Sequence, residues 1–214
     1  REIFESFEKD IVTKATLQIF LNEYSRDVFF REYTILQTPE AIARTVIIPL
    51  PVETDFSKSL LLQPKNNTGV SIGVVARWDS IKNHAAILRL ATYIKEHDSA
   101  MALNVVTAWP TTLQSTFKST YEASLTLVPP MNSADLAMFF AAQDVLIVPS
   151  VFDVSPTVVM EALMAGTPVI ISENVGWVSD YRIHGLERMV IDPNATGETI
   201  HATIVELFDN PQLY

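Results

Sequence analysis

The chain has 214 residues, 48% of them hydrophobic and 19% charged, enough for one large core or one and a fraction at about 150 residues per domain. Its 15 Lys and Arg against 25 Asp and Glu give a net charge of −10, which excludes the basic footprint that a phosphate backbone requires, so no nucleic-acid partner is expected. The absence of cysteine excludes disulfides, thiolate metal sites and cysteine nucleophiles.

Residues 1–10 are polar with a helical pattern, unlike a signal peptide. The first residue is Arg rather than Met, which suggests a piece of a longer protein. No run of about 18 uncharged apolar residues exists, so no membrane span is expected in this chain. The cytosol is the default location, with any membrane association left to regions outside the chain. A strand over 17–21, a helix over 24–32 and a strand over 45–48 read as the tail of a preceding domain. Pro49, Pro51 and Pro64 punctuate this stretch, and QPKNNTG over 63–69 has the composition of a linker or turn. The expected division is therefore 1–66, a domain tail with its linker, and 67–214, a domain of its own.

From residue 71 onward, short apolar runs alternate with amphipathic stretches, the pattern of βαβ units on a parallel sheet. Six runs qualify as strands, over 71–76, 102–108, 124–128, 145–149, 168–172 and 188–191. Several lack polar alternation, as expected of strands covered on both faces. Helices are expected over 83–97, 112–123, 133–143, 156–165 and 197–209, with 177–184 either a short helix or an irregular turn. In the first of these, Ile87, Leu88, Ala91 and Ile94 form the apolar stripe. The fold class is α/β, a doubly wound, Rossmann-like parallel sheet of about six strands.

Such a sheet binds ligands at the carboxyl ends of its strands, which directs attention to two loops. After the first strand the chain reads RWDSIKN, with Arg77 and Lys82 immediately before a helix. A guanidinium with directed donors and a compact ammonium suit a diphosphate, although two cations on a solvated loop would look the same. After the fourth strand comes PSVFDVSPTVVMEALMAGTPVIIS over 149–172. Ser155 before Pro156 reads as an N-cap followed by proline at the first helical position, leaving the amides of Thr157 and Val158 free to meet a phosphate. Glu161 is the one charge in a helix that is apolar nearly all round and therefore reads as buried. Its carboxylate needs a donor, either ribose hydroxyls or a backbone amide. Gly166, ahead of Pro168, reads as a left-handed helix stop.

Taken in order, these residues resemble the donor-binding half of the GT-B glycosyltransferases, in particular the large retaining group called glycosyltransferase family 4, over about residues 45–209. DVSPTVVMEALMAGTPVI is similar to the family's E-x7-E region, and Arg77 and Lys82 match its cationic pair. The resemblance implies an enzyme that moves a sugar, with retention and without a metal, from a nucleoside diphosphate sugar (UDP- or GDP-linked) to an acceptor hydroxyl. It also implies a place in cell-surface polysaccharide or glycoconjugate biosynthesis. Arg77 and Lys82, with Ser155 and Thr157 at the helix start, would hold the diphosphate. Asp153 and Glu161 would be the catalytic acidic pair, Asp153 against the donor sugar and Glu161 against the ribose. The loop Val128, Pro129, Pro130, Met131 would face the nucleobase, or else serve as a tight connection to the helix at Ser133.

The sequence departs from the family pattern at Asp153, one methylene shorter than Glu, at Ala76 where glycine is common, and at Ser155–Pro156 in place of a Phe-Gly pair. The acceptor, a glycan, lipid or protein, would be read by a preceding domain, so this chain is expected to bind donor without completing transfer. Two other readings stand beside this one: a non-catalytic nucleotide-binding or assembly module, and a nucleotide-sugar epimerase of the same fold. His84, His97, His184 and His201 lack metal-ligand spacing, so no metal site is expected. Trp78 and Trp177 sit near ligand ends of strands, for packing or for stacking on a base or sugar.

Overall fold

A computed structural model describes residues 2–52, 69–108, 120–121 and 123–210. The linker-like segment expected over 63–69 and the helix expected over 112–123 lie largely outside the described residues. Contacts divide the chain into two units, Arg1–Pro51 and Val52–Tyr214.

In the first unit, helix α1 (Glu2–Lys14) precedes strand β1 (Gln18–Phe20), helix α2 (Glu23–Glu32), helix α3 (Pro39–Ala43) and strand β2 (Thr45–Ile47). β1 and β2 pair in parallel, with Ile19 opposite Val46. Asn22 and Ser25 cap α2 reciprocally, and Thr38 caps α3, whose first turn begins with Pro39. These caps satisfy amides that have no intrahelical acceptor. Phe20, Phe29, Phe30 and Tyr33 form an aromatic cluster with centroids 5.0–6.1 Å apart.

The second unit holds a six-stranded sheet, all parallel: β3 (Val70–Val75), β4 (Met101–Val106), β5 (Leu125–Val128), β6 (Val145–Val148), β7 (Val169–Ser172) and β8 (Val190–Ile191). Their spatial order is β5-β4-β3-β6-β7-β8, the doubly wound arrangement expected from the alternation. β6 and β7 are buried along their whole length, which is why they read as unbroken apolar runs. The last expected strand is shorter than its apolar run, because Glu187–Met189 winds into a 3-10 turn and leaves two residues for β8.

The flanking helices are α4 (His84–His97), α5 (Ser133–Ala142), α6 (Thr157–Met164), α7 (Val178–Ile183) and α8 (Gly197–Asp209). The ambiguous stretch 177–184 is thus a short helix. On α4 the buried stripe is Ala86, Ile87, Leu90, Ala91 and Ile94, with Leu90 taking the core position expected of Leu88. Gly166 has φ +79° and its amide closes on the Leu163 carbonyl at 3.0 Å, the left-handed stop that its place before Pro168 indicated. α8 lies against α4: a Cβ at Gly197 would fall within the Arg89 carbonyl and 2.8 Å from Tyr93 Cβ. Arg89 donates from Nε to the Ala195 carbonyl at 2.9 Å and from Nη2 to the Pro193 carbonyl at 3.2 Å. His201 on α8 pairs with Asp98 beyond α4 at 2.9 Å, and this hydrogen bond holds the Asp98 carboxyl below its ordinary range. No described helix is long and apolar enough to cross a membrane.

Candidate functional site

β3 has β4 on one side and β6 on the other, so the loops leaving β3 and β6 part company and open a crevice at their carboxyl ends. A cleft of about 370 Å³ lies there, lined by Arg77 and Lys82 from the β3 loop, Ser150 and Asp153 from the β6 loop, and Ser155 through Val158 at the start of α6. The topology thus gathers both cations, the first acidic residue and the helix start into one place.

The rim of this cleft is cross-tied. Val151 donates its amide to the Ile81 carbonyl at 2.8 Å, joining the β3 and β6 loops. Asp153 donates its amide to the Asn174 carbonyl at 3.2 Å and accepts from the Gly176 amide at 2.8 Å, an isolated parallel bridge to Val175 that joins the β6 and β7 loops. Ser172 Oγ donates to the Ser150 carbonyl, and Trp177 Nε1 donates to the Pro156 carbonyl at 3.2 Å. Trp177 is therefore a brace for the helix start. Trp78 packs with its ring 4.8 Å from that of His84.

Asn83 is the residue that reading the sequence missed as part of this rim. It sits at φ +58° and caps α4, accepting from the Ala86 amide at 3.3 Å. Its Nδ2 donates to the carbonyls of Pro149 at 2.9 Å and Pro193 at 2.7 Å. One buried side chain thereby fixes the loops after β3, β6 and β8. In sequence it is only the first residue of the helix expected over 83–97, and the left-handed backbone shows that it is the cap instead.

Within the cleft, Lys82 Nζ donates to Asp153 Oδ2, with the two side chains 23% and 15% exposed. Arg77 is 80% exposed and lies 3.5 Å from Asp79 Oδ2, while Asp79 Oδ1 accepts the Lys82 amide at 2.9 Å. The Lys82–Asp153 contact was not anticipated, since no local spacing joins residues on different crossovers.

The helix start differs from the expected one. Pro156, not Ser155, occupies the cap position, with no side-chain cap hydrogen bond, and helical geometry begins at Thr157. The backbone bridge of Asp153 to Val175 keeps the chain extended, and Pro156 itself remains so at ψ 114°. The amides of Thr157 and Val158 still precede the first intrahelical acceptors, and both residues line the cleft.

Glu161 also departs from its expected setting. α6 is not buried all round: Val159 and Ala162 are buried, Leu163 is 44% exposed and Glu161 is half-buried. Among the described residues no backbone amide or other donor meets the Glu161 carboxylate. It lies one turn beyond Thr157, on the same face of the helix, outside the residues lining the cleft. The expected base loop, Val128 to Met131, leaves the edge strand β5 two positions from β3 and does not line the cleft either. Thr107, at the end of β4, ties its amide to the Val128 carbonyl at 3.2 Å. Among the described residues no cluster of three or more His, Asp or Glu could hold a metal ion.

A family model described as glycosyl transferases group 1 matches residues 56–214. EpsF of Bacillus subtilis is 30% identical over 105 residues, 49% of this chain and 27% of that protein. D-inositol 3-phosphate glycosyltransferase of Pseudarthrobacter chlorophenolicus is 32% identical over 87 residues, 41% of this chain and 20% of that protein. Sucrose-phosphate synthase of Thermosynechococcus elongatus superposes with a TM-score of 0.74 at 19% identity, over 100% of this chain and 54% of that one. The chain therefore matches about a quarter or less of each curated relative and about half of the solved structure. The structural likeness is one of fold, the Rossmann-like carboxyl-terminal domain of GT-B proteins.

Proposed function

Because this chain belongs to the glycosyl transferases group 1 family, we propose that it is the donor-binding part of a retaining glycosyltransferase. In this reading the Val52–Tyr214 unit holds a nucleoside diphosphate sugar, UDP- or GDP-linked, for transfer to the hydroxyl of a glycan, lipid or protein. The acceptor is read by another domain of the same protein, of which the Arg1–Pro51 unit is a part. The expected setting is cytoplasmic synthesis of a cell-surface polysaccharide or glycoconjugate.

The observation that carries this reading is the convergence of Arg77, Lys82, Asp153 and the amides of Thr157 and Val158 on one cleft at the switch point of the sheet. When the sugar departs, negative charge develops on the leaving diphosphate. In this reading a guanidinium, an ammonium and the two amides at the helix start neutralise it, with no metal required. Ser155 and Thr157 add hydroxyls beside those amides. Asp153 lies against the sugar and Glu161 against the ribose, while the loop from Val128 to Met131 faces the base.

The test is calorimetry and thermal shift of the 214-residue chain against nucleoside diphosphates and their sugars. Binding of at least one of them, with no transfer to an acceptor by the isolated chain, is the expected result. No binding across the panel would remove the donor-site reading, and transfer by these residues alone would place the acceptor site within them.

Glu161→Gln separates a ligand role from a structural one. With no donor on its carboxylate in the free chain, stability should change by less than about 0.5 kcal/mol. Donor affinity should fall by about 1–3 kcal/mol, as for loss of a charged acceptor. A clear drop in melting temperature with unaltered nucleotide affinity would sink the ribose role.

A further inference from the structure

Both cations of the cleft have an acidic partner in this chain, but the two pairs differ. Arg77 and Asp79 are 80% and 34% exposed at 3.5 Å, so water and salt screen them. Lys82 and Asp153 are 23% and 15% exposed and in direct hydrogen-bonded contact, where screening is weaker. Lys82 stands on the loop before α4 and has a long, mobile stem. Asp153 has a short side chain on a backbone fixed from both sides, by its amide to Asn174 and its carbonyl from Gly176. The carboxylate is therefore a stationary negative charge beside the ammonium, inside a cleft whose other groups favour anions.

Any diphosphate that takes Lys82 must come to rest against that carboxylate. Repulsion opposes it unless the same ligand brings hydrogen-bond donors to replace the ammonium on Asp153. Resting on the reading of the cleft as a diphosphate site, we infer that Asp153 is a placeholder anion that occupies Lys82 in the free protein and selects against bare diphosphates. A sugar diphosphate carries both the anion for Lys82 and the hydroxyls for Asp153. Inorganic pyrophosphate carries only the first. The same carboxylate returns to Lys82 once the sugar has left, which loosens the hold on the product diphosphate.

The test is calorimetric titration of the 214-residue chain with inorganic pyrophosphate, for the parent, Asp153→Asn, Asp153→Ser and Lys82→Met. The fixed backbone contacts of Asp153 do not use its side chain, so both substitutions leave them in place, and Asp153→Ser serves if the amide packs poorly. Removing the carboxylate is expected to tighten pyrophosphate binding about tenfold, the scale of one partly screened charge interaction, whereas Lys82→Met should weaken it at least as much. Unchanged or weaker binding in both Asp153 variants, with Lys82→Met still weakening it, would overturn the placeholder role and leave the diphosphate site standing. Unchanged binding in Lys82→Met would remove the site itself, and the placeholder with it.

Discussion

Asn83→Ala should destabilise the Val52–Tyr214 unit by about 3–6 kcal/mol, the sum of three separable losses. The left-handed backbone at φ +58° costs a residue with a Cβ and no local polar side chain about 1–2 kcal/mol. Loss of the cap on α4 costs about 1 kcal/mol. The carbonyls of Pro149 and Pro193 lose their buried donor, at about 1–3 kcal/mol where water cannot enter. Urea unfolding midpoints check the total, and Asn83→Gly divides it, since glycine removes the strain but not the lost bonds. A loss below about 1 kcal/mol for the alanine variant would mean that the three loops are held by other contacts.

Lys82→Ala should weaken nucleoside diphosphate binding by about 1.5–3 kcal/mol, the range for a charge-assisted hydrogen bond to a phosphate. It also leaves Asp153 without its ammonium. At 15% exposure that carboxylate still reaches water at the cleft mouth, so a stability loss of about 1 kcal/mol is expected rather than the larger figure for a sealed pair. Calorimetry on the folded variant gives the first quantity and its melting curve the second. Unchanged affinity would reduce Lys82 to the partner of Asp153.

The sheet was legible in sequence because a parallel strand covered on both faces cannot hide its composition. Val145 to Val148 and Val169 to Ser172 are buried at every position, and their apolar runs stop within one residue of the observed ends. β8 was less legible, since RMVI could as well begin with a 3-10 turn as with a strand, and hydropathy does not distinguish them. The start of α6 was misplaced by one residue because propensity favours Ser155 as a cap, whereas the bridge from Asp153 to Val175 holds the chain extended past it. Such a bridge is a tertiary contact with no local signature.

The members of the site were easier to read than their relations. The resemblance, not the spacing, groups Arg77, Lys82 and Asp153, and the observed strand order, with β3 beside β6, brings their loops to one crevice. That Lys82 meets Asp153, while Arg77 stays in solvent, depends on side-chain reach and on which backbone is fixed. Glu161 was misread because its helix was judged by composition; with Val159 and Ala162 buried and Leu163 exposed, the polar face is narrow but real.

Gly197 lies far from the cleft in sequence, yet its missing side chain governs how the cleft is seated. The first turn of α8 rests on the backbone of α4 at Arg89, and α4 begins one residue after Asn83 and two after Lys82. The two helices act as a strut whose near end carries the lysine and whose far end is the last turn of α8 at Asp209. Thickening the joint at 197, or trimming the chain ahead of it, would shift the lysine's foothold without touching a single residue that lines the cleft.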